Sequence, residues 1–412
     1  MRFNKSAAAL VLMGVSLCAT AQTQAKPDNH AELTAPSGAV VSAAPSEPAL
    51  VFEGGYKLDV LNLMDGGLQR GAGALGHLDL KLTVDLDQTW GWTGTTAFFN
   101  LIHDHGDKFN QNRVGSLTGV SNIEVAVDTE RLLQAWIQKE WQEGKYALLA
   151  GLYPIDSEFQ VVDTAGLFVQ PPYGTTGDLA LTRGPSVFNN SSFGVRGKWV
   201  SDDQSVYAQA AILDGVPGDP AKPNGTHIVF DKDDGTMGIV EIGWRPEGSK
   251  YALGIWGYST QVDDLVDVDN QQNPVQRSSH GAYFLAESTL WKGHSGRSLA
   301  GFFRYALNDG DSTALSSIVN TGFVINNPFR GDGGDALGLA YTHATLSDKY
   351  RALQDAAGQP TSAYESAWEL TYRVKLGESF AVQPLVQWHQ YPGGGRAVSS
   401  ATVVGVRMDL SF

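Results

Sequence analysis

The sequence holds a single cysteine, Cys18, in 412 residues. One thiol cannot form an internal disulfide or a cysteine zinc site, so neither staples this fold. Charge is sparse as well: Asp, Glu, Lys and Arg together make 18% of the chain. The balance is acidic, with a formal net charge of −15, and nucleic-acid binding depends on basic phosphate contacts. Beyond the first twenty residues there is no apolar run of about 20, the length a transmembrane helix needs. Serine-hydrolase elbows and nucleophile-adjacent histidine patterns are missing too, which leaves no enzymatic centre to argue from. Glycine and aromatics, by contrast, are plentiful. Glycine occurs 47 times, with 10 Trp, 14 Tyr and 17 Phe. So many aromatics exclude a disordered chain, and with abundant glycine they suit a large all-β barrel.

The N-terminus reads as a secretory signal. Arg2 and Lys5 precede an apolar core from Ala7 to Leu17, and Ala19-Thr20-Ala21 offers a small-x-small cleavage site. The expected organisation is a signal peptide over 1–21, a flexible periplasmic segment rich in Ala, Pro, Ser and Thr over 22–50, and one barrel over 51–412. Cleavage removes Cys18 and two cations, taking the net charge from −15 to −17.

From Val51 onward, short segments alternate with period two. Leu78, Leu80, Leu82, Val84 and Leu86 interleave with Asp79, Lys81, Thr83 and Asp85. Trp368, Leu370, Tyr372 and Val374 do so with Glu369, Thr371, Arg373 and Lys375, and the last strand sets Val404, Val406, Met408, Leu410 and Phe412 against Arg407 and Asp409. A soluble barrel would turn the apolar face inward; a membrane barrel turns it to lipid. Unpaired charges of both signs do not fit a packed core. The connections alternate short and long, and Trp90, Trp92, Trp141, Trp199, Trp244 and Trp291 gather beside the short ones, as an interfacial girdle would. The expected fold is therefore an all-β transmembrane antiparallel barrel of sixteen strands. Their spans are 52–63, 76–86, 91–102, 129–141, 145–155, 190–200, 204–214, 236–246, 250–260, 279–291, 297–308, 316–325, 335–346, 364–376, 379–391 and 399–412. The twelfth has the faintest pattern. Such a lumen is too wide for side chains to fill; Asp79, Lys81, Asp85, Glu369, Arg373, Gln383, Gln387 and Arg407 are expected to line it.

The longest connection, Asp156 to Asn189, is expected to fold into the lumen and narrow it. It carries carboxylates beside aromatic rings, a combination that suits sugar hydroxyls and the C–H face of a sugar ring. An outward surface loop is the plainer alternative. His103 and His105 fall on one strand face, but two histidines without a third ligand do not make a metal site. The run Phe230 to Gly235 fails the calcium-loop pattern at its first position. It reads instead as a solvated acidic loop, as do Asp263, Asp264, Asp267 and Asp269, which could still bind divalent cations against lipopolysaccharide phosphates. No cofactor or metal is expected.

Several motifs, in order and at matching spacing, carry a family resemblance. They are Arg131-Leu-Leu-Gln-Ala-Trp136, Gly151 to Phe159, Thr164 to Phe168, Ser192-Phe-Gly-Val-Arg196, Thr321-Gly322 through Arg330, Glu369 to Tyr372, and Gln383-Pro384. Together they resemble the carbohydrate-selective outer-membrane porins of the OprB type across most of 51–412. The resemblance implies passive diffusion of mono- and small oligosaccharides through a sixteen-stranded barrel. It also implies a constriction from Arg131, Gln134 and Trp136 on the fourth strand with Asp156, Glu158 and Phe168 from the loop. Arg131 would pair with a carboxylate and donate to sugar hydroxyls, and Trp136 would be a stacking platform or, alternatively, face lipid. The chain departs from the family at Leu152, Pro154 and Asp156, which removes a cation and adds an anion. Rival readings are a general, mildly cation-selective porin and a surface adhesin or receptor. Expected partners are small carbohydrates, membrane lipid and lipopolysaccharide, and the barrel assembly machinery through the C-terminal Phe412, with monomer and homotrimer both open.

Overall fold

The computed structural model describes residues 48–330 and 333–412; the signal segment and nearly all of 22–50 lie outside them. Sixteen antiparallel strands form one closed barrel, each paired with its sequence neighbours and the last with the first. They are β1 Leu50–Gly67, β2 Gly71–Asp85, β3 Thr95–Gly106, β4 Thr129–Trp141, β5 Tyr146–Tyr153, β6 Ser192–Val200, β7 Val206–Asp214 and β8 Thr236–Trp244. The second half comprises β9 Ser249–Val268, β10 Pro274–Lys292, β11 Ser298–Asn308, β12 Leu315–Asn326, β13 Asp335–Leu346, β14 Tyr364–Lys375, β15 Phe380–Gln390 and β16 Ser399–Ser411. Every expected strand is present. The largest difference is in β9 and β10, which run on as a tall hairpin well past 260 and 279. Acidic residues disguised that extension as loop. Lys349 and Arg277 neutralise them: Arg277 Nε lies 2.8 Å from Asp264, and Lys349 Nζ pairs with Asp264 and with Asp267 and Asp311, each at 2.8 Å. Asp264 and Asp267 are thus paired, not solvated. Lys349 belongs to helix α2 (Asp348–Ala356) in the β13–β14 connection, and the cluster ties that helix to the hairpin.

The period-two pattern decides which residues face the lumen. Register places Asp59 opposite Arg407, Lys57 opposite His77, and Gly55 opposite Asp79, so the polar members of each strand share the inner face. Their apolar neighbours face out, where Leu253, Ile255, Phe323, Leu339 and Leu370 are exposed. Trp90, Trp92, Trp141, Trp244 and Trp291 are exposed at the end carrying the short turns. At the seam, Phe412 N–H donates to the Gly54 carbonyl at 2.9 Å and Gly54 N–H returns a bond at 2.8 Å. Asp85 does not line the lumen: it caps helix α1 (Leu86–Trp90) by accepting from the Asp87 and Gln88 amides at 2.8 and 3.1 Å.

Not one but two long connections turn inward. The β5–β6 connection (154–191) packs Phe159, Val162, Phe168 and Tyr173 against inward Ile239, Leu285, Phe302 and Ile318. Phe168, Tyr173 and Phe302 meet with ring centroids 5.0 to 6.0 Å apart; each such buried side chain contributes about 1.5–3 kcal/mol. The β3–β4 connection (107–128) places Phe109, Val120 and Ile123 against Leu61, Leu385 and Val403. Much of the inner wall is therefore apolar, because it faces loop rather than water.

Candidate functional site

Backbone groups carried into a barrel interior need partners. Here the inward charges of the wall supply them. Val169 and Gln170 amides donate to the two oxygens of Glu369 at 2.7 and 3.0 Å. Asp163 and Thr164 amides donate to Glu287, and the Gln160 amide to Glu241 at 3.1 Å. Arg304, wholly buried, donates to the Gln160 carbonyl at 2.7 Å and to that of Pro172. Gln383 donates to the Leu167 carbonyl at 2.7 Å. The loop 107–128 is held the same way: Leu117 and Thr118 amides donate to Glu365, Ser121 donates to Asp59 at 2.6 Å, and Gln387 donates to the Val120 carbonyl. Arg407 grips Asp59 with two bonds at 2.7 and 2.8 Å and Asn122 with a third. A bond from the Asn122 amide to the Val169 carbonyl, 2.8 Å, joins the two loops.

This arrangement reassigns much of the expected lining. Glu369, Gln383, Gln387 and Arg407 face inward but are buried beneath the loops. Asp79, Lys81 and Arg373 remain half-buried; Lys81 lies 2.9 Å from Asp79, and Arg373 is 3.3 Å from Asp409. Of the six expected constriction residues, four are covered. Phe168 is in the loop core. Asp156 accepts from the Phe188 amide at 3.2 Å inside the loop, and burial pushes its carboxyl up to about 7. The same cause raises Asp178 in that loop to about 6 and Glu124 in the other to about 7. Among the described residues, Arg131 pairs with no carboxylate. It donates to Thr129 Oγ1 and to the Pro223 carbonyl, and so holds the β7–β8 connection (215–235) over the barrel rim. Gln134 is buried and accepts from Trp136 Nε1 at 3.0 Å.

Trp136 and Glu158 are the two that stay partly exposed, and Arg196 links Glu158 to Gln138, two residues along β4 from Trp136. Trp136 is on the inner face of β4 and stacks on Phe98 of β3, centroids 5.1 Å apart and planes at 25°. Gly151 faces it on β5 with φ +145°; a side chain there would strike Trp136 and the Ala135 carbonyl. Glu158, 23% exposed, is fixed by Arg196 Nη2 at 3.0 Å, which also donates to Gln138 at 2.8 Å. Arg196 itself is only 3% exposed. An aromatic face beside a carboxylate and an amide is chemistry for a neutral polyol: C–H groups stack on the ring while hydroxyls exchange hydrogen bonds with the polar groups. Phe98, Gln138 and Arg196 were not singled out as site residues from the sequence. Arg196 carried a usable signal, a full charge alternating with the outward Val195 and Gly197. Elsewhere, His103 and His105 project outward with ring centroids 5.0 Å apart, and among the described residues no group of three His, Cys, Asp or Glu is arranged to hold a metal.

Comparison with known proteins bears on the family and the fold. A family model described as carbohydrate-selective porin, OprB family, matches residues 69–412. Porin B of Pseudomonas aeruginosa is 23% identical over 370 residues, covering 81% of this chain and 80% of that protein. Among solved structures, the high-pH structure of Pseudomonas putida OprB superposes with a TM-score of 0.78 at 19% identity, covering 88% of this chain and 94% of that one. The outer membrane channel DcaP of Acinetobacter baumannii shares the fold more distantly, with a TM-score of 0.53 at 10% identity, over 88% of this chain and 97% of that one.

Proposed function

The chain belongs to the OprB family of carbohydrate-selective porins, and from that premise we propose that its sugar path runs down the β2–β6 side of the lumen. It is a passive outer-membrane channel for small carbohydrates, so what the residues must do is admit, orient and release. The observation that carries the path is the part-exposed Phe98–Trp136 stack with Gln138 and Glu158 near it, where inward side chains of β2–β4 stay partly open while Leu149 and Tyr153 of β5 are buried under loop. Trp136 and Phe98 offer the stacking face. Glu158 accepts from sugar hydroxyls, Gln138 both donates and accepts, and Arg196 acts through Glu158 as a positioning residue. In this reading the short-turn end faces the periplasm.

Glucose titrated into single-channel current tests this reading. Trp136→Ala is expected to weaken glucose block by roughly 2- to 10-fold, the equivalent of about 0.5–1.5 kcal/mol for one aromatic contact. Glu158→Gln is expected to weaken it as well, with the barrel intact. Unchanged block in both variants would place the sugar path elsewhere.

A further inference from the structure

We propose that the β7–β8 connection (215–235) is an interfacial anchor whose tip, residues 228–230, lies against the acyl chains of the outer lipid leaflet. A gap in the wall sets its course. β5 ends at Tyr153, and β4 pairs with it only from Ala135 to Trp141. Above Ala135 the β5 side of β4 therefore lacks a strand partner, and a barrel wall in lipid tolerates no open edge. The connection closes it. Thr226 Oγ1 accepts from the Leu132 amide at 2.7 Å and donates to the Leu132 carbonyl at 3.2 Å. The Gly225 amide donates to Thr129 Oγ1 at 3.2 Å, and Arg131 donates to the Pro223 carbonyl.

From β4 the chain crosses the end of β5 to reach β6, where Phe230 meets outward Phe193 edge-on, ring centroids 6.0 Å apart. Leu152 lies between these two points, opposite Ala135 on one side and Phe193 on the other. It alternates with exposed Leu148 and Ala150 and so belongs to the outer face. Leu148 is 44% exposed and Leu152 only 3%, as chain crossing over it requires.

Height decides what the crossing meets. Phe193 stands six residues up β6 from Trp199, and Leu132 nine residues up β4 from Trp141; both tryptophans lie at the short-turn end. At about 2.6 Å of height per tilted residue, these points are roughly 16 and 23 Å above that girdle, against an apolar band about 25 Å tall. The crossing runs along the upper boundary of the band. There its backbone keeps water and head groups as partners, while its apolar side chains reach hydrocarbon. Ile228, Val229 and Phe230 are all exposed, and the exposed charges Asp231, Lys232 and Asp233 follow at once. Through Phe193 the triplet is continuous with the lipid-facing surface of Leu148, Val195 and Val240, so one apolar solvent covers both.

A polarity-sensitive fluorophore on single cysteines, in a Cys18→Ser background, tests the assignment in vesicles of lipid brominated in the acyl chains. Val229→Cys carries the probe on the tip, Phe323→Cys on the lipid-facing wall, and Gln271→Cys in the turn of the tall β9–β10 hairpin. Heat-shifted electrophoretic mobility verifies that each barrel is folded. Relative to plain lipid, brominated lipid is expected to cause a loss of emission at 229 as deep as that at 323, with 271 unchanged. Emission at 229 untouched while 323 loses its own, whether water or another protein covers the tip, would overturn the proposal. Equal loss at 229 and 271 would overturn it as well.

Discussion

Replacing Glu369 with alanine is expected to unplug the channel. Its two oxygens hold the Val169 and Gln170 amides, at the point where the two inward loops also join each other. Hydrogen bonds to a charged group contribute about 1.5–3 kcal/mol each, and two buried amides lose their partner at once. The wall strand remains paired on both sides, so the barrel survives while the loop 154–191 loosens. Conductance is expected to rise by roughly two-fold or more, since a sixteen-strand barrel conducts freely once its lumen is cleared. Arg304→Met, which strips two loop carbonyls of their donor, is expected to act in the same direction. Single-channel recording at fixed salt decides the matter. Wild-type conductance from folded Glu369→Ala would mean that apolar packing alone seats the loop.

Arg407→Ala has its largest effect on stability instead. Asp59 is fully buried, and both of its oxygens bond Arg407 across the β1–β16 seam. Removing the cation leaves a buried carboxylate with Ser121 as its one remaining side-chain donor among the described residues, a change that costs about 3–5 kcal/mol. Urea unfolding in detergent is expected to show that loss. The double variant Asp59→Leu/Arg407→Met is expected to recover most of it, because neither side then carries an unpaired charge. A single variant as stable as wild type, or a double variant worse than the single, contradicts this account of the seam.

How much of this was legible in the sequence follows from what each residue faces. Outward positions meet a uniform apolar solvent, so Leu78 to Val84 and Val404 to Phe412 alternate cleanly and the strand count could be read directly. Inward positions meet two environments. Where water is the neighbour the pattern stays polar, as at Asp79 and Lys81. Under the loops it turns apolar, and alternation fades. The faint pattern of β12 has this cause: Ile318 and Val324 face inward and pack against loop 154–191. Inward apolar residues on β8 and β12 were thus the trace of a packed lumen. The second inward loop escaped because 107–128 is short and mostly small and polar; its anchors, Glu365 and Asp59, are distant in sequence. Site residues were least legible. Arg131 and Arg196 are both arginines on inward faces, and only the three-dimensional course of the loops sets one under a rim strap and the other behind Glu158.

Thiol mapping of the lumen tests the central claim most directly, that sugars pass on the β2–β6 side while the opposite wall is sealed by loop. Cys18 is the only cysteine in the sequence, so in a Cys18→Ser background an introduced thiol reports alone. Gln138→Cys stands beside Glu158, and Ala340→Cys lies buried beneath the loop on β13. A sugar-sized, membrane-impermeant thiol reagent is expected to cut the current through Gln138→Cys and to leave Ala340→Cys unaffected, with glucose slowing the first reaction. Rapid modification at 340, or none at 138, would contradict the account.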